Sequence, residues 1–293
     1  MVINKIAYLG PKGTFTKIAV DALFNGENKE SYTTIPECID AVEQGEVKFA
    51  VVPLENAIEG SVNLTVDYLI QKKPLKIISE IVVPIRQHLM VHPSNQVDWK
   101  SIDSIYSHSH AIAQCHHLLS TELKHVRAEY MTSTGAAAKY VSDNPERKIG
   151  AIANHLAAEE YGLSIVKKDI HDFTNNHTRF VVLHKDNYEL QSSKMEVKGH
   201  KTTLIVSLGS DQAGALHQVL SVFSWRKLNL SKIESRPMKT GLGNYYFLID
   251  VEEKMDDVLI PNAIAELESL GCTVKVLGSY PYYTYNGLSI SHN

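Results

Sequence analysis

Apolar residues follow two rhythms along this chain. Short apolar runs at about 3–9, 48–52, 75–83, 87–91, 104–106, 126–130, 148–153, 164–167 and 178–183 predict strands, the pair at 75–91 being broken around Pro84. Between them, apolar residues spaced three and four apart predict helices at about 16–24, 36–44 and 62–70. Three more follow: one after Ser107-His108-Ser109 reaching about 119, an alanine-rich one after Thr132-Ser133-Thr134, and one ending near 161. Thr14 or Thr16 is placed to cap the first helix. Strands alternating with helices imply an α/β unit with a largely parallel sheet.

The rhythm stops at 185–200, which is polar and aperiodic and reads as a linker. Beyond it the order is βαββαβ, with strands at about 202–208, 229–235, 244–251 and 273–279 and helices at about 213–226 and 257–269. The turn Lys239-Thr240-Gly241-Leu242-Gly243-Asn244 joins the middle strands, where glycine permits positive φ. This is a ferredoxin-like α+β pattern. The division is therefore 1–184, a linker 185–200, a second domain 201–281 and a tyrosine-rich tail 282–293 with no assigned element.

Composition agrees with that division. A length of 293 residues makes two domains the default, and 44% apolar with 21% charged residues is enough material for real cores. A formal charge of -4 argues against a nucleic-acid or membrane-surface binder, though not against a local basic pocket. Cys38, Cys115 and Cys272 are far apart and form no CxxC pair. A disulfide framework or zinc ribbon is therefore not expected, and a reducing cytoplasm fits best. The N-terminus reads as a strand rather than a signal peptide, and no apolar run is long enough to span a bilayer.

Several strand-to-helix junctions are rich in hydroxyls and amides: Gly13-Thr14, Asn56 with Ser61, Ser107 with Ser109, and Thr132-Ser133-Thr134. In open α/β sheets ligands bind beyond the carboxyl ends of strands, where helix N-termini present free N–H groups. Each junction alone reads as an ordinary cap; together they suit a small polyanion. Gly10-x-x-Gly13 lacks both the third glycine of a dinucleotide fingerprint and the end of a P-loop. His108, His110, His116 and His117 have no matching carboxylate or thiolate spacing, so no metal site is expected. No serine sits in a nucleophile elbow, and Cys115 reads as a buried small hydrophobe.

Four segments in order resemble the prephenate dehydratases. They are Tyr8-Leu9-Gly10-Pro11-Lys12-Gly13-Thr14-Phe15-Thr16, Val52-Pro53-Leu54-Glu55-Asn56-Ala57-Ile58-Glu59-Gly60-Ser61-Val62, Tyr106-Ser107-His108 with Gln114-Cys115, and Asn176-His177-Thr178-Arg179-Phe180. Gly214-Ala215-Leu216-His217 and Glu234-Ser235-Arg236-Pro237 are similar to the two phenylalanine-binding motifs of that family's regulatory ACT domain. Asp211 is placed to cap the helix there, and Gly214 to let a ligand approach the backbone.

The resemblance implies a two-lobed, periplasmic-binding-protein-like catalytic domain followed by an ACT domain. It also implies cofactor-free, metal-free conversion of prephenate to phenylpyruvate in phenylalanine biosynthesis, a carbon–oxygen lyase reaction. Loss of carbon dioxide and hydroxide aromatises the substrate ring, so no electron sink is needed. The protein must hold two carboxylates, orient the ring and help the hydroxyl leave. On this reading Thr178 hydrogen-bonds the leaving hydroxyl, and Glu55, Asn56, Ser107 and Gln114 complete the catalytic network. Thr14, Ser61, Ser133, Thr134, Arg179 and Phe180 contact substrate, with Arg179 suited to a carboxylate. Neighbours in a regular strand face opposite ways, so Thr178 and Arg179 then cannot both line the cleft. Thr132 stands where many members carry a carboxylate, so that group's role does not transfer.

The resemblance further implies phenylalanine as effector and self-association through ACT domains into a dimer or tetramer. No fused chorismate mutase is expected, since the chain opens on the first strand of the dehydratase-like domain. Two other readings fit the same pattern: a small-anion binding or effector module, and another ACT-containing enzyme of amino-acid metabolism. The first lacks a signal peptide or a helix-turn-helix before the first strand. Turnover of prephenate separates all three.

Overall fold

The computed structural model describes residues 5–287 except 72–74, 191, 193, 194, 210–212, 239–244 and 257. The expected turn at 239–244, the Asp211 cap and the end of the tail lie outside the described residues.

The first lobe opens with β1 (Lys5–Leu9), α1 (Phe15–Leu23), β2 (Asn28–Tyr32), α2 (Ile35–Gln44), β3 (Phe49–Asn56), β4 (Gly60–Ser61), α3 (Asn63–Gln71) and β5 (Lys76–Pro84). The chain then crosses to a second lobe. There it forms β6 (His88–Val91), β7 (Ser104–Ser107), α4 (Ser109–Ala113), α5 (His116–Thr121), β8 (Arg127–Tyr130), α6 (Thr134–Ser142), β9 (Ile149–Ala153), α7 (His155–Tyr161) and β10 (Ser164–Lys167). It returns to the first lobe as β11 (His177–His184). After the linker come β12 (Gly199–Ser207), α8 (Ala215–Trp225), β13 (Leu230–Pro237), β14 (Tyr245–Val251), α9 (Leu259–Ser269) and β15 (Thr273–Thr284).

Local chemistry sets the element ends that matter for the cleft. Thr14, not Thr16, caps α1: its side chain accepts from the Lys17 amide. Thr34 and Glu37 form a capping box on α2, Pro36 sits in its first turn, and Gly45 ends it in the left-handed region. The polar edge strand β2 escapes the sequence pattern, because its sequence Asn-Lys-Glu-Ser-Tyr has no apolar face. Pairing with β1 makes it a strand.

The first-lobe sheet is mixed rather than largely parallel. β1 runs parallel to β2 and β3, but β11 is antiparallel to both β3 and β5. The direction follows from the path: β11 re-enters the sheet from the far lobe. The second lobe is a five-stranded sheet in the order β10-β6-β9-β7-β8.

The third unit does not stand apart. β15 pairs with β12 and then continues through Tyr282, Tyr283 and Thr284 to pair in parallel with β5. Residues 282–284, read from the sequence as tail, thus belong to this strand. The result is one ten-stranded sheet, β13-β14-β12-β15-β5-β11-β3-β1-β2, with β4 attached to β3. α8 and α9 cover one face of its C-terminal half over a core that includes Val206, Phe223, Ile249, Ile260 and Leu267. On the other face Ile205, Tyr246, Leu248, Leu277 and Tyr280 join Val52, Leu54, Leu69 and Ile77 of the first lobe in a single core. Such a shared apolar core makes the two units one packed body, since apolar burial is the main favourable term in docking them. No described helix is long and apolar enough to cross a membrane.

Candidate active site

Two crossings join the lobes, residues 85–87 and 168–176, and they are laced together. The Ile85 amide donates to Asn176 O (2.9 Å), the Ile170 amide to Gln87 O (2.9 Å) and the Asp169 amide to His88 Nδ1 (2.9 Å). Above them lies a cleft of about 920 Å³. Loop 10–14 closes one side by docking on the second lobe, where Asn154 Nδ2 donates to Gly13 O (2.9 Å) and Tyr161 to Lys12 O (2.9 Å).

The N-termini of α1, α2 and α6 open on this cleft through their caps Thr14, Thr34 and Ser133, with Thr132 and Thr134 alongside. The cap hydroxyls of Thr14 and Ser133 are taken by the amides of Lys17 and Ala136, so these side chains are caps. The remaining first-turn amides and the helix dipoles supply the positive end that a dianion needs.

The cleft floor is a hydrogen-bonded row. Asn56 on β3 and Thr178 on β11 are directly opposed in the antiparallel ladder, so their side chains meet on one face. Asn56 Nδ2 donates to Thr178 Oγ1 (2.9 Å) and to Asn176 Oδ1 (2.9 Å). Asn176 Nδ2 donates to Gln114 Oε1 (3.0 Å), and Gln114 Nε2 reaches Glu59 Oε1 (3.5 Å). Asn56 Oδ1 accepts the amides of Ile58 and Glu59 and so shapes the loop that presents Glu59. Asn176 and Gln114 are buried. Because Thr178 Oγ1 is already an acceptor from Asn56, its own proton is left to donate.

Glu59 also stands 3.8 Å from His110 Nδ1, linking the lobes across the cleft. Burial, with the neighbouring charge of His110, pushes the His108 imidazole below its usual range against the pull of Glu59. Phe180 supplies an apolar wall beside Pro53, Val62, Ile85 and Ala111.

Three residues expected in the site lie elsewhere. Arg179 faces the opposite side of β11 from Thr178 and Phe180, as strand alternation demands, and binds Glu55, Glu80 and Asp250. Glu55 faces the same way, held by Arg179 and Lys232. Ser107 is fully buried and donates to Ile152 O (2.6 Å), away from the cleft. Thr14, Asn56, Ser61, Gln114, Ser133, Thr134, Thr178 and Phe180 do line it. Asn176, Glu59, His108, His110 and Tyr32 are the residues that sequence reasoning did not assign. Asn176, Glu59 and His108 lie within the resembling segments but carry no role there, and His110 reads in the sequence only as a possible metal ligand. Cys115 is buried, its thiol pushed up to about 12 by burial and then by Asp172, which leaves it inert.

The expected effector residues also divide. Along β13 the odd-numbered Ser235 and Pro237 are exposed, whereas Glu234 and Arg236 turn to the first lobe. There Glu234 meets Ser61, and Arg236 binds Asp67 (2.7 Å) and Asn63. Gly214 (φ 87) precedes α8 in the left-handed region as its N-cap, with no side chain of its own to cap the helix. Among the described residues no group of three His, Cys, Asp or Glu is arranged to hold a metal ion.

A prephenate dehydratase family model matches residues 6–188, and an ACT domain model matches residues 202–269. The chain belongs to the prephenate dehydratase family. It is 60% identical over 282 residues to prephenate dehydratase of Bacillus subtilis strain 168, covering 95% of this chain and 99% of that one. It is 35% identical to prephenate dehydratase of Methanocaldococcus jannaschii, covering 96% and 100%. Among solved structures it resembles prephenate dehydratase of Arthrobacter aurescens in complex with L-Phe, with TM-score 0.83, 33% identity and coverage of 94% and 89%. It also resembles the Staphylococcus aureus Mu50 enzyme, with TM-score 0.79, 29% identity and coverage of 94% and 99%. The fold is thus the family's: a two-lobed α/β unit with a C-terminal ACT domain.

Proposed function

We infer that the chain removes water and carbon dioxide from prephenate to give phenylpyruvate, and that residues 1–184 carry this chemistry. The row Thr178–Asn56–Asn176–Gln114, set below three helix N-termini, is the observation that carries the reading. The bond from the ring to its carboxylate breaks, and carbon dioxide leaves. The freed electron pair completes the aromatic ring as the opposite carbon–oxygen bond breaks. The departing hydroxide takes up a proton from solvent and leaves as water. The Thr178 hydroxyl donates a hydrogen bond to that oxygen, and Asn56 fixes its direction. The helix N-termini hold the substrate carboxylates, and Phe180 orients the ring.

Purified protein is expected to form phenylpyruvate from prephenate with no added metal. A Thr178→Ala variant is expected to lose at least about 10²-fold in kcat, as when an acid–base contribution is removed. Undiminished turnover would end the role given to Thr178.

The ACT domain, residues 201–284, takes phenylalanine as its effector. The related Arthrobacter enzyme was solved with L-Phe. The α8 N-terminus at Gly214–His217 supplies a carboxylate site, and exposed Ser235 and Pro237 lie on the helix-bearing face of β13. Titration calorimetry is expected to show saturable phenylalanine binding; a flat titration would overturn this assignment. The exposed β13 edge supports self-association into a dimer or tetramer through ACT domains.

A further inference from the structure

The back of the catalytic strand pair is an ion cluster shared with the ACT sheet. Asn56 and Thr178 face the cleft; their chain neighbours Glu55 and Arg179 are the next opposed pair in the ladder and face the other way. Arg179 Nη1 donates to Glu55 (2.6 Å), and Nη2 to Glu80 (2.5 Å) and Asp250 (2.7 Å). From the ACT side Lys232 donates to Glu55 (2.6 Å) and Lys201 to Glu80 (2.7 Å). Thr203 donates to Asp250 (2.7 Å). Lys232 also donates to Ser61 (2.8 Å), which lines the cleft.

Glu80 and Asp250 are fully buried. The catalytic side supplies one net negative charge through Glu55, Glu80 and Arg179. The ACT side supplies Lys201, Lys232 and Asp250, with Glu234 also 3.2 Å from Lys232. Glu55 and Glu80 gain their lysine partners when the ACT sheet is seated.

Buried ion clusters add little net stability compared with a well-packed apolar interface, but removing one partner leaves a buried charge uncompensated. This one lies one peptide bond behind each of two residues whose placement governs the chemistry. We propose that Lys232 and Asp250 of the ACT domain are positioning residues for the Asn56–Thr178 pair, acting through Glu55 and Arg179. Seating of the ACT sheet therefore sets the direction of the Thr178 hydroxyl, even without effector. The proposal rests on the assignment of Asn56 and Thr178 as the catalytic pair.

The test uses the full chain: Lys232→Met, Glu55→Gln, the double variant and Lys232→Arg, each measured for kcat, KM and Tm. A positional role predicts kcat falling on the order of tenfold in each neutralising single variant, with KM within about twofold. The loss in the double variant is expected to fall short of the product of the single losses, because both singles break the Lys232–Glu55 contact. Lys232→Arg is expected to regain most of kcat. Wild-type kcat in folded Lys232→Met, or losses that multiply in the double variant, would overturn the proposal. Should Lys232→Met not fold, the near-isosteric Asp250→Asn is read by the same criteria. Failure of both to fold would make the cluster structural only and also overturn it. Absence of prephenate turnover in the wild type would instead strike the assigned function, and so is distinguishable.

Discussion

Thr178 differs from an ordinary strand threonine in what its hydroxyl is left to do. Asn56 occupies its acceptor side, so the proton points onward. Thr178→Ser is expected to keep kcat within about tenfold, whereas Thr178→Val, which keeps the shape and loses the donor, falls by about 10²–10⁴ in steady-state assays. His88 carries a second prediction. It accepts the Asp169 amide at the lobe crossing, so its ring is neutral there. Burial pushes its pKa down to about 4, and His155, His171 and Lys168 add to this against the pull of Asp169. The unfolded chain binds a proton near the ordinary 6.5 while the folded chain resists until about 4, so stability falls as pH drops through that window. Melting curves are expected to show Tm declining over the window, and less steeply in His88→Gln. Thr178 and Asn56 were legible in the sequence as motif members. Which way their neighbours face was not, because it depends on strand pairing; the strand-alternation conflict at Thr178 and Arg179 was visible, and pairing resolved it in favour of Thr178.

β15 shows why some elements escaped the sequence. The apolar pattern stops near 279, Pro281 argues against a strand interior, and the tyrosines beyond it look amphipathic. Yet Tyr280 and Tyr283 are buried, and the strand runs on to Thr284 because β5 receives it. Gly278 lets the two strands approach: a Cβ there would stand 2.0 Å from Ile77 O. Gly278→Ala is therefore expected to cost about 1–3 kcal/mol or more in urea unfolding, as overpacking against immovable backbone does. A wild-type midpoint in that variant would show that β15 and β5 are not so closely joined. By contrast α2 was legible, because its capping box, first-turn proline and C-terminal glycine are all local signals.

In the molecule as a whole the ACT domain is not an appendage. It extends the sheet that forms the cleft floor and packs its apolar and charged face on the back of that floor. The polar linker concealed this from the sequence, since pairing between β5 and β15 joins residues some 200 positions apart and leaves no periodic trace. One consequence is that any movement of the ACT sheet is felt at Glu55 and Arg179 behind the floor and at Ser61 on the cleft itself. Everything above depends on the reaction itself. The most direct measurement is turnover of prephenate by the purified full chain, following phenylpyruvate and carbon dioxide together in the presence of a chelator. Equimolar release of both, undiminished by the chelator and lowered by at least about 10²-fold in Thr178→Val, is the predicted result. No phenylpyruvate from a folded wild-type protein, or full activity in Thr178→Val, would contradict it.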